Sequence, residues 1–104
     1  MLLSAAESQA RRKYTGDDTV QLARWLVVLG RARTATGDLK AAATNLREAA
    51  GIFETSTSAD GLDQAALLQA LIGLDEARHA LQPDAGFDKK AAHWRTMLKR
   101  VESK

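Results

Sequence analysis

Apolar positions recur at helical spacing in five stretches of this chain, separated by short polar, glycine- or proline-bearing segments. The clearest pair lies between Gln21 and Phe53. Leu22, Leu26, Leu29 and Arg33 share one helical face, Thr36-Gly37-Asp38 breaks the pattern, and Leu39, Ala42, Ala43, Leu46, Ala49, Ala50 and Phe53 restart it. Small residues alternate with large ones along the second stripe, which lets two helices approach closely and antiparallel. The first of these helices is predicted over Val20–Ala35, with Asp18 or Thr19 as its N-cap, and the second over Leu39–Glu54. Trp25 and Val28 lie off the leucine stripe, and a helix apolar on several sides calls for neighbours on several sides.

The remaining stretches complete an all-α reading with five antiparallel helices. Leu2–Lys13 is predicted to be a helix, with Leu3, Ala6 and Ala10 on one face and Arg11, Arg12 and Lys13 placed against the negative end of its dipole. Thr15-Gly16-Asp17-Asp18 reads as a turn. After the polar loop Thr55–Asp60 comes a helix over Leu62–Leu81, with Leu67, Leu71, Leu74 and Arg78 in series and Asp60 able to cap it. Gln82–Gly86 is a break, and the last helix runs over Phe87–Glu102 with Phe87, Ala91, Trp94, Leu98 and Val101 aligned.

These helices repeat. The series Leu22, Leu26, Leu29, Ala32, Arg33 returns 45 residues later as Leu67, Leu71, Leu74, Ala77, Arg78. The series Leu39, Ala43, Leu46, Ala50, Phe53 returns 48 residues later as Phe87, Ala91, Trp94, Leu98, Val101. The first helix matches the second type. The domain reading is therefore one unit over 1–104: a half repeat in 1–14, a full repeat in 18–55 and another in 60–103. A period of this size marks a helical solenoid.

Composition agrees and narrows the function. The chain has 104 residues, enough for one domain, with 45% hydrophobic residues carried largely by Ala and Leu and only 5% aromatic, which favours helix packing over a sheet. There are no cysteines, so disulfides, thiol catalysis and cysteine-ligated zinc are excluded. No apolar run approaches the roughly 20 residues that cross a bilayer, and the start lacks the regions of a signal peptide, so a cytoplasmic location is expected. The formal charge of +2 balances 15 basic against 13 acidic residues. Basic clusters at Arg11-Arg12-Lys13, Lys89-Lys90 and Lys99-Arg100 fall at helix ends and on separate helices, so nucleic acid is not the expected partner.

The residues from Leu26 to Ala49 also resemble a known family. Leu26, Leu29-Gly30, Arg33, Gly37-Asp38-Leu39, Ala42, Leu46 and Ala49 follow the pattern of the tetratricopeptide repeat, or TPR, and the longer period looks most like the kinesin-light-chain type common in bacterial multidomain proteins. The second repeat departs from that pattern at Asp75, which stands where Gly30 does, and at Pro83. Arg33 and Arg78 stand where an aromatic is usual. The resemblance implies a right-handed superhelix without chemistry of its own, whose concave groove binds a peptide or protein. Carried over by position, the groove residues are Arg24, Val27, Arg31 and Thr34, then Gln69, Ile72, Glu76 and His79. Arg24 and Arg31, seven residues and about two turns apart, would pair with an acidic peptide or a terminal carboxylate. The lysine and asparagine clamp that some members use for C-terminal carboxylates is absent.

No catalytic, metal or cofactor constellation stands out. His79 has Asp75 and Glu76 on the preceding turn, too sparse a set for a metal. No serine has a histidine and an acid at recognisable spacing, and Gly30 and Gly37 do not form a phosphate loop. Trp94 falls in the core stripe, and Trp25 beside one. The expectation is a non-catalytic interaction module. The runner-up is self-association: two and a half repeats leave apolar end faces, which implies either a piece of a longer protein or a homodimer that completes its own stack.

Overall fold

A computed structural model describes residues 19–56 and 59–103. These hold four helices: α1, Thr19–Ala35; α2, Leu39–Thr55; α3, Gly61–Leu81; and α4, Phe87–Glu102. No strand occurs among the described residues. The helix expected over Leu2–Lys13, and the turn after it, lie outside them. The four helices match the sequence pattern to within a residue at each end.

The turn between α1 and α2 is built from three residues. Gly37 takes φ 87°, a conformation that only glycine adopts without strain. Its N–H donates to Thr34 O at 3.1 Å, and Asp38 N–H donates to Arg33 O at 2.9 Å. That pair of bonds is a Schellman closure. Asp38 then starts α2, its Oδ1 accepting from Ala41 N–H at 3.4 Å. One residue thus ends one helix and caps the next, which holds the hairpin tight. At α3, Asp60 and Asp63 cap each other reciprocally: Asp63 N–H donates to Asp60 Oδ1 at 3.0 Å and Asp60 N–H to Asp63 Oδ2 at 3.2 Å. Pro83 lies in the loop before α4, whose N-cap is Gly86 at φ 85°.

The helices pair as α1 with α2 and α3 with α4. Helix α3 also lies against both α1 and α2, while no Cα of α4 comes within 8 Å of either. The two hairpins therefore stand side by side and do not close into a four-helix bundle, in which the last helix would return to the first.

The core sits in the first hairpin and the inner side of α3. Leu26, Leu29, Ala42, Leu46 and Ala49 are essentially sealed, joined by Leu22, Phe53, Ala70 and Leu74. Gly30 lets the hairpin close: a Cβ there would lie 2.6 Å from Leu46 Cδ2. The stripe residue Arg33 is buried and donates from Nη1 to Asn45 Oδ1 at 2.6 Å, with Asn45 buried on α2. A polar pair therefore closes the end of the leucine stripe, where the TPR pattern has an aromatic.

The second hairpin buries less. Ala91 is the buried residue of α4, and Phe87, Trp94, Leu98 and Val101 stay half-exposed. Trp94, expected in the core, packs with one side open. The cause is the arrangement of helices: α4 has α3 on one side and no other described helix against it. Trp25 is half-buried against the main core, and Val28 is 53% exposed.

Candidate functional site

The eight residues carried over from the repeat pattern have different fates. Val27 is buried among the core leucines and does not present a surface, because its position on α1 faces neighbouring helices. Arg24 is not free for a ligand either. Its Nε donates to Asp63 Oδ1 at 2.7 Å and its Nη2 to Asp63 Oδ2 at 3.0 Å, a two-point grip that ties α1 to the start of α3. The hydrogen bond from Arg24, which outweighs the penalty of partial burial, holds the Asp63 carboxyl below its ordinary pKa; the same bond raises Arg24.

The other six are more open. Arg31 and Gln69 are exposed, and Glu76 is exposed while accepting from Arg95 Nη2 at 2.8 Å. Thr34 is half-buried and donates its hydroxyl back to Gly30 O at 2.8 Å. Ile72 and His79 are half-buried, and His79 Nδ1 is sealed from solvent with no hydrogen-bond partner. So Arg24 and Arg31 do not act as a pair of free cations: one is spent within the fold.

A depression of about 610 Å³ lies elsewhere, over α3 and between α2 and α4. None of those eight residues lines it. Its apolar base is Ala43, Leu46 and Ala50 of α2, Leu71 and Leu74 of α3, and Trp94 of α4. Arg47, Arg78, Lys89, Lys90 and His93 also line it, and all but the half-buried Arg78 are exposed, which puts them at its rim. The hollow exists because α2 and α4 flank α3 without meeting each other.

One carboxylate, Asp75, lines this hollow, and it is satisfied from within. Asp75 is 3% exposed; its Oδ2 accepts from Trp94 Nε1 at 2.8 Å and its Oδ1 from Arg78 Nη1 at 3.4 Å. Arg78 also lies over the Phe87 ring at 5.2 Å from the centroid, and Lys90 does so at 5.5 Å. Asp75 thus fixes the indole and one guanidinium, and leaves Arg47 and Lys89 without an internal partner among the described residues. Chemically the hollow offers an apolar base with a cationic edge. It offers no nucleophile–base pair, and no cluster of three metal-ligating side chains occurs among the described residues. No described helix is long and apolar enough to cross a membrane.

The stripe Leu22, Leu26, Leu29 and Arg33 of α1 is buried as its spacing implies, but of the α3 series only Leu74 is buried, with Leu67, Leu71 and Arg78 half-exposed, and sequence reasoning missed this hollow. The repeat offsets do set Asp75 and Trp94, two of its lining residues, at the places of Gly30 and Leu46. Compared with protein-family models, curated proteins and solved structures, the chain matches none of them.

Proposed function

We propose that this chain is a non-catalytic interaction module of the TPR-like kind, whose stacked helical hairpins dock a protein or peptide partner. The observation that carries the reading is that, among the described helices, α4 is attached through α3 alone, which leaves an apolar hollow with a cationic edge. The internal repetition of two like hairpins supports the same reading, since repeats that contact only their neighbours build extended docking faces.

The test is affinity capture by the immobilised chain from extracts of its source cell, followed by titration of the captured protein. A saturable one-to-one complex supports the module. Absence of any saturable partner contradicts it.

Self-association is the second reading, favoured by Leu62 and Leu81, which are 81% and 74% exposed at the two ends of α3. A mass that rises with concentration in light scattering, and falls to that of a monomer on changing both leucines to serine, assigns these residues to a dimer contact. A constant monomer mass removes this reading.

A further inference from the structure

We infer that the hollow between α2 and α4 receives an amphipathic helix with acidic flanks, contributed by a protein partner. This rests on the interaction-module reading and adds where the partner sits and what it is made of.

Its shape comes first. The residues of α2 at the hollow, Ala43, Leu46, Arg47 and Ala50, and those of α3, Leu71, Leu74, Asp75 and Arg78, each span two helical turns. Two turns of an incoming helix are about 11 Å long and about 10 Å across, a fair match to a half-sunk occupant of a hollow of about 610 Å³. The small Ala43 and Ala50 leave room on the α2 side for large apolar side chains to enter.

Backbone chemistry selects a helix. The hollow is lined from three α-helices, and apart from the first turn of α4, where Lys89 lies, their lining amide groups are bonded within each helix. It therefore has no sheet edge to pair with an extended peptide. An occupant must satisfy its own N–H and C=O groups, which a helix does.

Charge selects the flanks. Arg47, Lys89 and Lys90 are exposed at the edge, whereas Asp75, the one carboxylate that lines it among the described residues, is already held by Trp94 and Arg78. A partner helix with leucine-like residues on one stripe and glutamates beside it would meet the apolar base and the cationic edge together. A second copy of this chain docked by twofold symmetry would set the cationic edge against itself.

The probes are two synthetic peptides of about 18 residues, long enough to form helix on binding, with the same leucine stripe and either glutamate or lysine flanks. Calorimetric titration measures affinity for the full chain, and amide shift mapping locates it. The acidic peptide is expected to saturate one site and shift amides of α2, α3 and α4, while the lysine peptide does not bind. The paired change Lys89→Glu and Lys90→Glu, with circular dichroism unchanged, is expected to weaken binding roughly tenfold or more. Arg31→Glu, outside the hollow, is expected to leave it unchanged.

Failure of both peptides to bind overturns the inference, as does equal binding of the two. Binding lost in Arg31→Glu and kept in the lysine pair places the partner outside the hollow and also overturns it. A duplex oligonucleotide that displaces the acidic peptide with the same lysine dependence would assign the edge to nucleic acid instead. The module reading is tested separately: a captured partner that still binds the Lys89→Glu, Lys90→Glu chain leaves that reading standing and removes this one.

Discussion

Trp94 donates its indole N–H to Asp75 at 2.8 Å, at the place in the second hairpin where Leu46 presses on Gly30 in the first. The two hairpins solve one packing problem in different ways. The first brings the helices together by deleting a side chain. The second keeps a buried carboxylate and supplies a donor to it. Replacing Trp94 by Phe leaves Asp75 with the longer Arg78 contact and is expected to cost about 1–3 kcal/mol, the usual penalty for a buried acceptor losing a partner. Asp75→Ala on top of Trp94→Phe should then cost less than Asp75→Ala alone. A double-mutant cycle by urea unfolding checks this, with a coupling of roughly 1 kcal/mol expected. Strictly additive losses would show that the bond contributes nothing.

Glycines in this fold divide into those that pack and those that do not. A Cβ at Gly30 would sit 2.6 Å from Leu46 Cδ2 and 2.7 Å from its Cγ, and Leu46 has no exposure through which to escape. Gly30→Ala is expected to destabilise by about 1–2 kcal/mol, overpacking exceeding the gain in helix propensity. Gly51, in the interior of α2, has nothing within 4 Å of an added Cβ. Gly51→Ala is expected to stabilise by about 0.5–1 kcal/mol. Thermal or urea unfolding of the two variants should shift in opposite directions.

Acid sensitivity should be traceable to the α1–α3 tie. Asp63 has its carboxyl held below the ordinary value of 3.8 by Arg24, so its contribution to stability is complete above that value. It is lost as the pH falls through the lowered folded value. Arg24 is raised from an already high value and stays charged throughout. Asp63→Asn is therefore expected to unfold more easily than the parent at pH 7, and the gap should close progressively below about pH 4. Unfolding midpoints across pH 2–7 test it. A gap that persists unchanged into strong acid would assign the loss to the capping box with Asp60 instead.

Much of the first hairpin is legible in the sequence. Gly37-Asp38 announces a turn, and the stripe from Leu22 to Arg33 is the buried face. Local spacing suffices there because each signal is a few residues long. The site was not legible in the same way. Arg24 reads as an open cation until Asp63, 39 residues away, is seen to hold it. Val27 reads as a surface contact until the neighbouring helices cover it. Asp75 looked like a fault in the second repeat, yet Trp94 compensates it, and both changes fall at paired positions of the repeat. The hollow itself depends on how far apart α2 and α4 stand, a distance that no periodicity encodes.

Among the described residues, α4 is joined to the molecule through α3 and lies against neither α1 nor α2. Nuclear Overhauser contacts from the methyl groups of α4 test it most directly. The arrangement predicts cross-peaks from Ala91, Leu98 and Val101 to α3, with Val101 near Gly61, where its Cγ1 lies 3.9 Å from the position of a Cβ. It predicts none to Ala23, Val27 or Val28 of α1. A set of cross-peaks between α4 and α1 would mean a closed bundle, with no hollow for a partner to enter.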